Sequence, residues 1–269
     1  MSDRNEILVV SFGTASAESR RLNIDAVEQA ISEAAGESWS VRRCFTSQTI
    51  INLISKREGI RTDNVADALE KAAAEGVNNL VVQPTHLMKG LEYDKLCSIL
   101  ADYADSFGKV TICDPLLTSE EDLDRVADAL AEASASYEDG STAIVFMGHG
   151  TEAAANSIYD KMQSVLSSKG KADYFVGTVE AEPSLDDVIR AVGKGNYKRV
   201  VLRPLMLVAG NHAVKDMASA DDPDSWYSRF RAEGYETVCI IEGLGQLPAV
   251  RDIYADHIHR AIASLNNKL

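Results

Sequence analysis

Ala143-Ile144-Val145-Phe146-Met147-Gly148-His149-Gly150-Thr151 is an unbroken apolar run that ends in a histidine between two glycines. A run of this kind reads as a strand buried on both faces, as in parallel sheets covered by helices. A second run, Leu202-Arg203-Pro204-Leu205-Met206-Leu207-Val208-Ala209-Gly210, leads into Asn211-His212. Each run delivers a histidine at its C-terminal end or just beyond. Open α/β sheets take their ligands at that edge. Two histidines arriving there from separate strands point to a metal or proton-transfer site.

Outward from these runs, short apolar segments alternate with longer helical patterns. Strands are expected near 7–11, 40–45, 79–83, 109–113, 143–147, 174–178, 199–205 and 237–241. Helices are expected near 18–35, 64–75, 92–106, 120–136, 155–168, 185–192, 225–233 and 248–266. Strands separated by helices of this size indicate βαβ units and a mostly parallel sheet. The chain also reads as an internal duplication. Ile7–Thr14 aligns with Ile144–Thr151 through shared Ile, Gly and Thr, and Val81–Gly90 aligns with Val201–Gly210 through Val, Pro, Leu and Gly. The expected architecture is α/β: two similar Rossmann-like lobes, each a four-stranded mostly parallel sheet flanked by helices, with an active-site cleft between them. The polar stretch Tyr137-Glu138-Asp139-Gly140-Ser141 suggests a boundary that makes residues 1–138 one lobe and 139–269 the other. The last helix is free to pack on the opposite lobe. In this alignment Phe12 takes the place of His149 and Glu92 that of His212. The second lobe then carries the metal ligands, and the first offers an apolar wall and a carboxylate.

Composition narrows the function. The chain has 269 residues, 45% of them hydrophobic and 25% charged, and a net charge of −14. That charge argues against a nucleic-acid or anionic-membrane partner. An anionic substrate would need its cationic partners concentrated locally. Cys44, Cys97, Cys113 and Cys239 form no CxxC pair, which excludes the usual structural zinc spacing. The apolar run that starts at Ile7 is too short for a signal peptide, and none reaches transmembrane length. A cytoplasmic protein is expected.

His149 alone reads equally as a turn histidine bonded to the backbone, and the same holds for His212. Their shared placement favours function. Glu180 follows the strand at 174–178 and reads either as a solvated loop residue or as the third member of a His-Glu-His set. Such a set suits a first-row divalent metal and leaves coordination positions open. Ser184 with Asp187 resembles a capping box. His86 ends the matching strand of the first lobe and lines the cleft in one reading, the core in the other. His257 and His259 do not share a helix face and read as structural or solvent-facing.

These segments carry a resemblance. Ile7–Thr14, Gln83-Pro84-Thr85-His86, Phe146–Thr151 and Pro204–Ala213, continuing through Asp216-Met217-Ala218, resemble the class II tetrapyrrole chelatases. Most similar are the anaerobic sirohydrochlorin cobalt chelatases of the two-lobed bacterial type. The likeness spans essentially the whole chain, and Pro-Leu-Met-Leu-Val-Ala-Gly-x-His-Ala is its specific part. Asn211 stands where that family often has Asp, and Arg203 where it usually has an apolar or small residue. The resemblance implies metal ligation and catalysis by His149, Glu180 and His212. It implies Co2+ as the metal substrate, with Fe2+ and Ni2+ used by related enzymes, no organic cofactor, and a tetrapyrrole partner. A homo-oligomer is left open. The residues expected to meet the tetrapyrrole are Phe12, Thr14, His86, Lys89, Glu92 and Arg203. Its eight carboxylates call for cations, for which Arg20, Arg57 and Lys215 are further candidates, and for the helix N-termini after Thr14 and Thr151.

Overall fold

The computed structural model describes residues 4–152 and 154–267. They pack as two compact units. One runs to Thr118 and is completed by the chain from Val250 on; the other is Ser119–Ala249.

The first unit holds β1 (Arg4–Ser11), β2 (Trp39–Phe45), β3 (Val77–Pro84) and β4 (Lys109–Ile112), all parallel in the order β2-β1-β3-β4. Ile7, Leu8, Val9 and Val10 in β1 and Leu80, Val81 and Val82 in β3 are inaccessible to solvent. Central strands covered on both faces have no polar alternation to keep, which is why these runs are apolar throughout. The helices are α1 (Ala17–Ser19), α2 (Ala26–Ala35), α3 (Gln48–Glu58), α4 (Val65–Ala74) and α5 (Leu91–Tyr103). The single helix expected at 18–35 is interrupted by a π-helical stretch, Arg20–Asp25, and α3 was not anticipated from the sequence. Ser47 starts α3 by accepting the Ile50 N–H on its hydroxyl.

The second unit repeats the plan with β5 (Thr142–Gly148), β6 (Tyr174–Thr178), β7 (Arg199–Pro204) and β8 (Glu236–Cys239), in the order β6-β5-β7-β8 and all parallel. Its helices are α6 (Glu120–Ser134), α7 (Ile158–Ser168), α8 (Leu185–Val192) and α9 (Trp226–Ala232). Ser184 and Asp187 do form the capping box that opens α8. Val188 and Val192 of α8 pack with Val145, Leu202, Trp226 and Phe230 in one core.

Two helices cross the boundary read from the sequence. Lys169 pairs with Asp124 at 2.8 Å and Asp128 at 2.7 Å, which ties α6 to the chain just after α7. The unit boundary therefore falls before Ser119, not at the polar stretch 137–141. The last helix, α10 (Pro248–Asn267), belongs with the first unit. Tyr254 donates to the Thr85 carbonyl at 3.2 Å and Lys109 to the Leu265 carbonyl at 2.9 Å. Among the described residues no helix is long and apolar enough to cross a membrane.

Equivalent backbone hydrogen bonds recur in the two units. Thr46 N–H reaches Ser11 O as Val179 N–H reaches Gly148 O; Thr85 reaches Val10 as Leu205 reaches Met147; Leu116 reaches His86 as Leu244 reaches Met206. The duplication thus extends past the strands into the loops at their carboxyl ends. Phe12 stands where His149 does, Ser47 where Glu180 does and Glu92 where His212 does.

Candidate metal centre

In the order β6-β5-β7-β8 the chain steps from β5 to one neighbour, β6, and then crosses to the other, β7. The carboxyl ends of β5 and β7 therefore flank the crevice where an open α/β sheet binds ligand. His149 directly follows β5, and His212 lies at the end of the loop after β7.

The local backbone is built tightly around His149. A Cβ on Gly148 would lie 2.1 Å from Cε1 of the buried Tyr159 ring, so only glycine fits. Gly150 has φ +87°, and a Cβ there would meet the Ala181 nitrogen at 2.9 Å. The Tyr159 hydroxyl accepts the Gly150 N–H at 3.3 Å. The β5–β6 pairing continues past both strands: Val179 N–H donates to Gly148 O at 3.0 Å and Glu180 N–H to His149 O at 2.9 Å. That last bond carries the Glu180 carboxylate to His149, whose Nδ1 is 3.5 Å from Oε2.

His212 opens a π-helical stretch, Ala213–Met217, whose Ala213 and Met217 are buried in the core of this unit. Its ring meets that of His149 edge-on, with centroids 4.6 Å apart. Ligand atoms of His149, Glu180 and His212 all lie within 4.8 Å of one another. The side chains are 47%, 53% and 33% exposed, open enough to swing onto an ion. A first-row ion binds such donors at about 2.0–2.2 Å, and three donors leave the remaining positions open.

Each histidine is oriented through Nδ1. His149 Nδ1 lies 3.0 Å from the Gly150 carbonyl oxygen, an acceptor only, so Nδ1–H donates, and in the neutral ring Nε2 is left with the lone pair. His212 Nδ1 lies 2.7 Å from Oδ2 of Asp216. In the sequence Asp216 stands out only as part of the Pro204–Ala218 motif. Its spacing of four residues from a histidine, one helical turn, was the signal available.

The other residues expected at the site divide into two groups. Phe12 is 52% exposed at the end of β1, and Glu92 is half-buried in the first turn of α5. Lys89 is exposed, pairs with Asp114 at 2.6 Å and lies 5.8 Å from the Tyr93 ring centroid. His86 is half-buried, and both its ring nitrogens are shielded from solvent without a hydrogen-bond partner. Burial lowers its pKa to about 4, against the opposing pull of the Glu92 carboxylate.

Thr14 and Arg203 are engaged by the fold instead. Thr14 is buried; its hydroxyl accepts the Ser16 N–H and its carbonyl accepts from Arg20. Arg20 is itself buried and paired with Glu58. Arg203 is a correction to the expected carboxylate contact. Its guanidinium is buried, donating to the Ala133 carbonyl and to Glu242, each at 2.8 Å. A charge inside a β-strand persists only when paired in this way. Arg57 and Lys215 are exposed.

Comparison with known proteins identifies the family. Residues 5–263 match the model of the cobalt chelatase family CbiK. The sirohydrochlorin cobaltochelatase of Salmonella typhimurium is 35% identical over 96% of this chain and 97% of its own. The sirohydrochlorin cobaltochelatase CbiKC of Nitratidesulfovibrio vulgaris is 32% identical over 84% of this chain and 80% of its own. The solved structure of SirB from Bacillus subtilis with Fe3+ has the same fold, with a TM-score of 0.65 over 98% of both chains at 12% identity. On the match across nearly its whole length, the chain belongs to the CbiK cobalt chelatase family.

Proposed function

We propose that this protein inserts Co2+ into sirohydrochlorin, with His149, Glu180 and His212 holding the incoming ion. The observation that carries the assignment is the approach of three ligating groups within 4.8 Å at the carboxyl edge of a parallel sheet. Support for the substrate comes from the relatives, both named for this reaction.

The reaction exchanges one dication for two protons: the ring loses two pyrrole N–H protons as its four nitrogens take the metal. A metal held by three protein groups keeps positions free for the first ring nitrogens. The ring then replaces imidazole and carboxylate as donor, and those groups are free to accept the protons being displaced. An imidazole nitrogen cannot ligate and hold a proton at once, so ligand loss and proton gain are coupled at the same atoms. The Glu180 carboxylate brings negative charge that favours a dication over the neutral site.

Phe12, His86, Lys89 and Glu92 are assigned to the tetrapyrrole. The exposed Phe12 ring offers an apolar face to a macrocycle, and Lys89 exchanges Asp114 for a substrate carboxylate. Thr14 and Arg203 are left out of this set because their polar groups are already satisfied. Work in the cytoplasm fits four cysteines that are all free thiols, as reducing compartments keep them.

The test is an anaerobic optical assay with sirohydrochlorin and Co2+, with Fe2+ and Ni2+ in parallel. Many ring equivalents metallated per protein, fastest with Co2+, is the expected result. A spectral change that stops at one equivalent would overturn the assignment in favour of a carrier. Faster turnover with Fe2+ or Ni2+ would reassign the metal.

A further inference from the structure

On the reading that His212 is a cobalt ligand, we propose that Asp216 is its positioning residue. The carboxylate holds the imidazole in the tautomer and orientation that present Nε2 to the ion. A carboxylate oxygen at 2.7 Å is an acceptor for Nδ1–H of His212, and in the neutral imidazole that tautomer leaves the lone pair on Nε2. Carboxylate partners of this kind also raise the donor strength of a metal-bound imidazole.

Stability does not account for the pair. Its side chains are 33% and 39% exposed, and a pair that open contributes about 0–1 kcal/mol. The duplication supplies an internal control. Gly90 N–H bonds to Met88 O as Gly210 N–H bonds to Val208 O, so the loops leading to Glu92 and His212 correspond. Four residues beyond Glu92 stands Leu96, buried in the core of the first unit. The unit with no histidine at this place has no carboxylate there either. The two histidines are also held differently. His149 is oriented by the carbonyl of its own neighbour, which no side-chain substitution removes; His212 depends on Asp216.

The experiment titrates Co2+ into metal-free parent, Asp216→Ala, Asp216→Asn and His212→Ala proteins under anaerobic conditions. It reads the visible d–d absorption and the melting temperature before metal is added. Asp216→Ala is expected to weaken Co2+ binding about 10–100-fold with an altered d–d band, while the metal-free melting temperature stays at the parent value. Asp216→Asn keeps the shape and an acceptor oxygen without the charge, and is expected to lose affinity by a smaller factor. In turnover the loss appears in KM for Co2+ and not in kcat at saturating metal. Parent-like affinity and absorption in Asp216→Ala overturn the proposal; if that variant does not fold, the same result in Asp216→Asn does so. If His212→Ala loses Co2+ while the Asp216 variants do not, only the positioning role fails. If His212→Ala also binds like the parent, the ligand assignment fails and the role of Asp216 with it.

Discussion

The Glu180 N–H donates to the His149 carbonyl oxygen at 2.9 Å, one residue beyond the end of the β5–β6 ladder. Because the bond is made by backbone, the distance between these two side chains is set by sheet register and not by the side chains themselves. In the first unit the same bond joins Ser47 to Phe12 at 3.3 Å. One backbone frame thus carries an imidazole and a carboxylate in one unit and a phenyl ring and a hydroxyl in the other.

A consequence is that these side chains can be changed without unfolding the frame. Glu180→Gln removes the charge from a half-exposed side chain, so its effect on stability should stay within about 0.5 kcal/mol. Co2+ affinity should fall by more than tenfold, as should turnover at limiting metal. Paired denaturant melts and Co2+ titrations check both, and unchanged affinity would remove Glu180 from the ligand set.

Gly148 should behave in the opposite way. An alanine Cβ would sit 2.1 Å from the ring of Tyr159, a side chain only 1% exposed. Overpacking of this kind costs about 1–3 kcal/mol or more. Gly148→Ala is expected to lower the unfolding free energy measured in urea by that amount and to weaken Co2+ binding together with it, because His149 is the next residue.

Arg203→Met tests the structural role of the buried guanidinium. The change keeps an apolar stem but deletes the bonds to Ala133 and Glu242. Loss of charge-assisted hydrogen bonds predicts a destabilisation of about 1.5–3 kcal/mol. KM for the tetrapyrrole should be unaffected; a rise of tenfold or more would restore Arg203 to the substrate site.

His86 gives a pH signature. Its pKa is lowered from 6.5 to about 4 by burial, so the unfolded chain takes up the proton first. The stability contributed by keeping this ring neutral is present above pH 6.5 and is lost as pH falls from 6.5 towards 4. The shift corresponds to up to about 3 kcal/mol. Comparing urea melts of the parent and of His86→Leu between pH 7 and 4 checks this. The variant's stability should fall less steeply over that range, and parallel curves would contradict the lowered pKa.

Most strands and the candidate ligands His149, Glu180 and His212 were legible in the sequence alone, whereas α3 and the π-helical break at Arg20–Asp25 were not. Ile7–Val10 and Ala143–Met147 are apolar without alternation, the pattern of a short strand covered on both faces. The Ser184–Asp187 cap needs only residues three apart, so it was legible without a fold. Gly148-His149-Gly150 announced a tight turn at a strand end. Tertiary structure decided which partners distant residues take. Arg203 could have faced a ligand; its burial against α6 and Glu242 depends on packing between segments far apart in sequence. The placement of α6 in the second unit and of α10 in the first follows from contacts such as Lys169 with Asp124 and Tyr254 with Thr85. Local propensity does not encode such pairings. They arise when each helix buries its apolar face on whichever sheet the chain path lets it reach, and that choice is made by the whole fold.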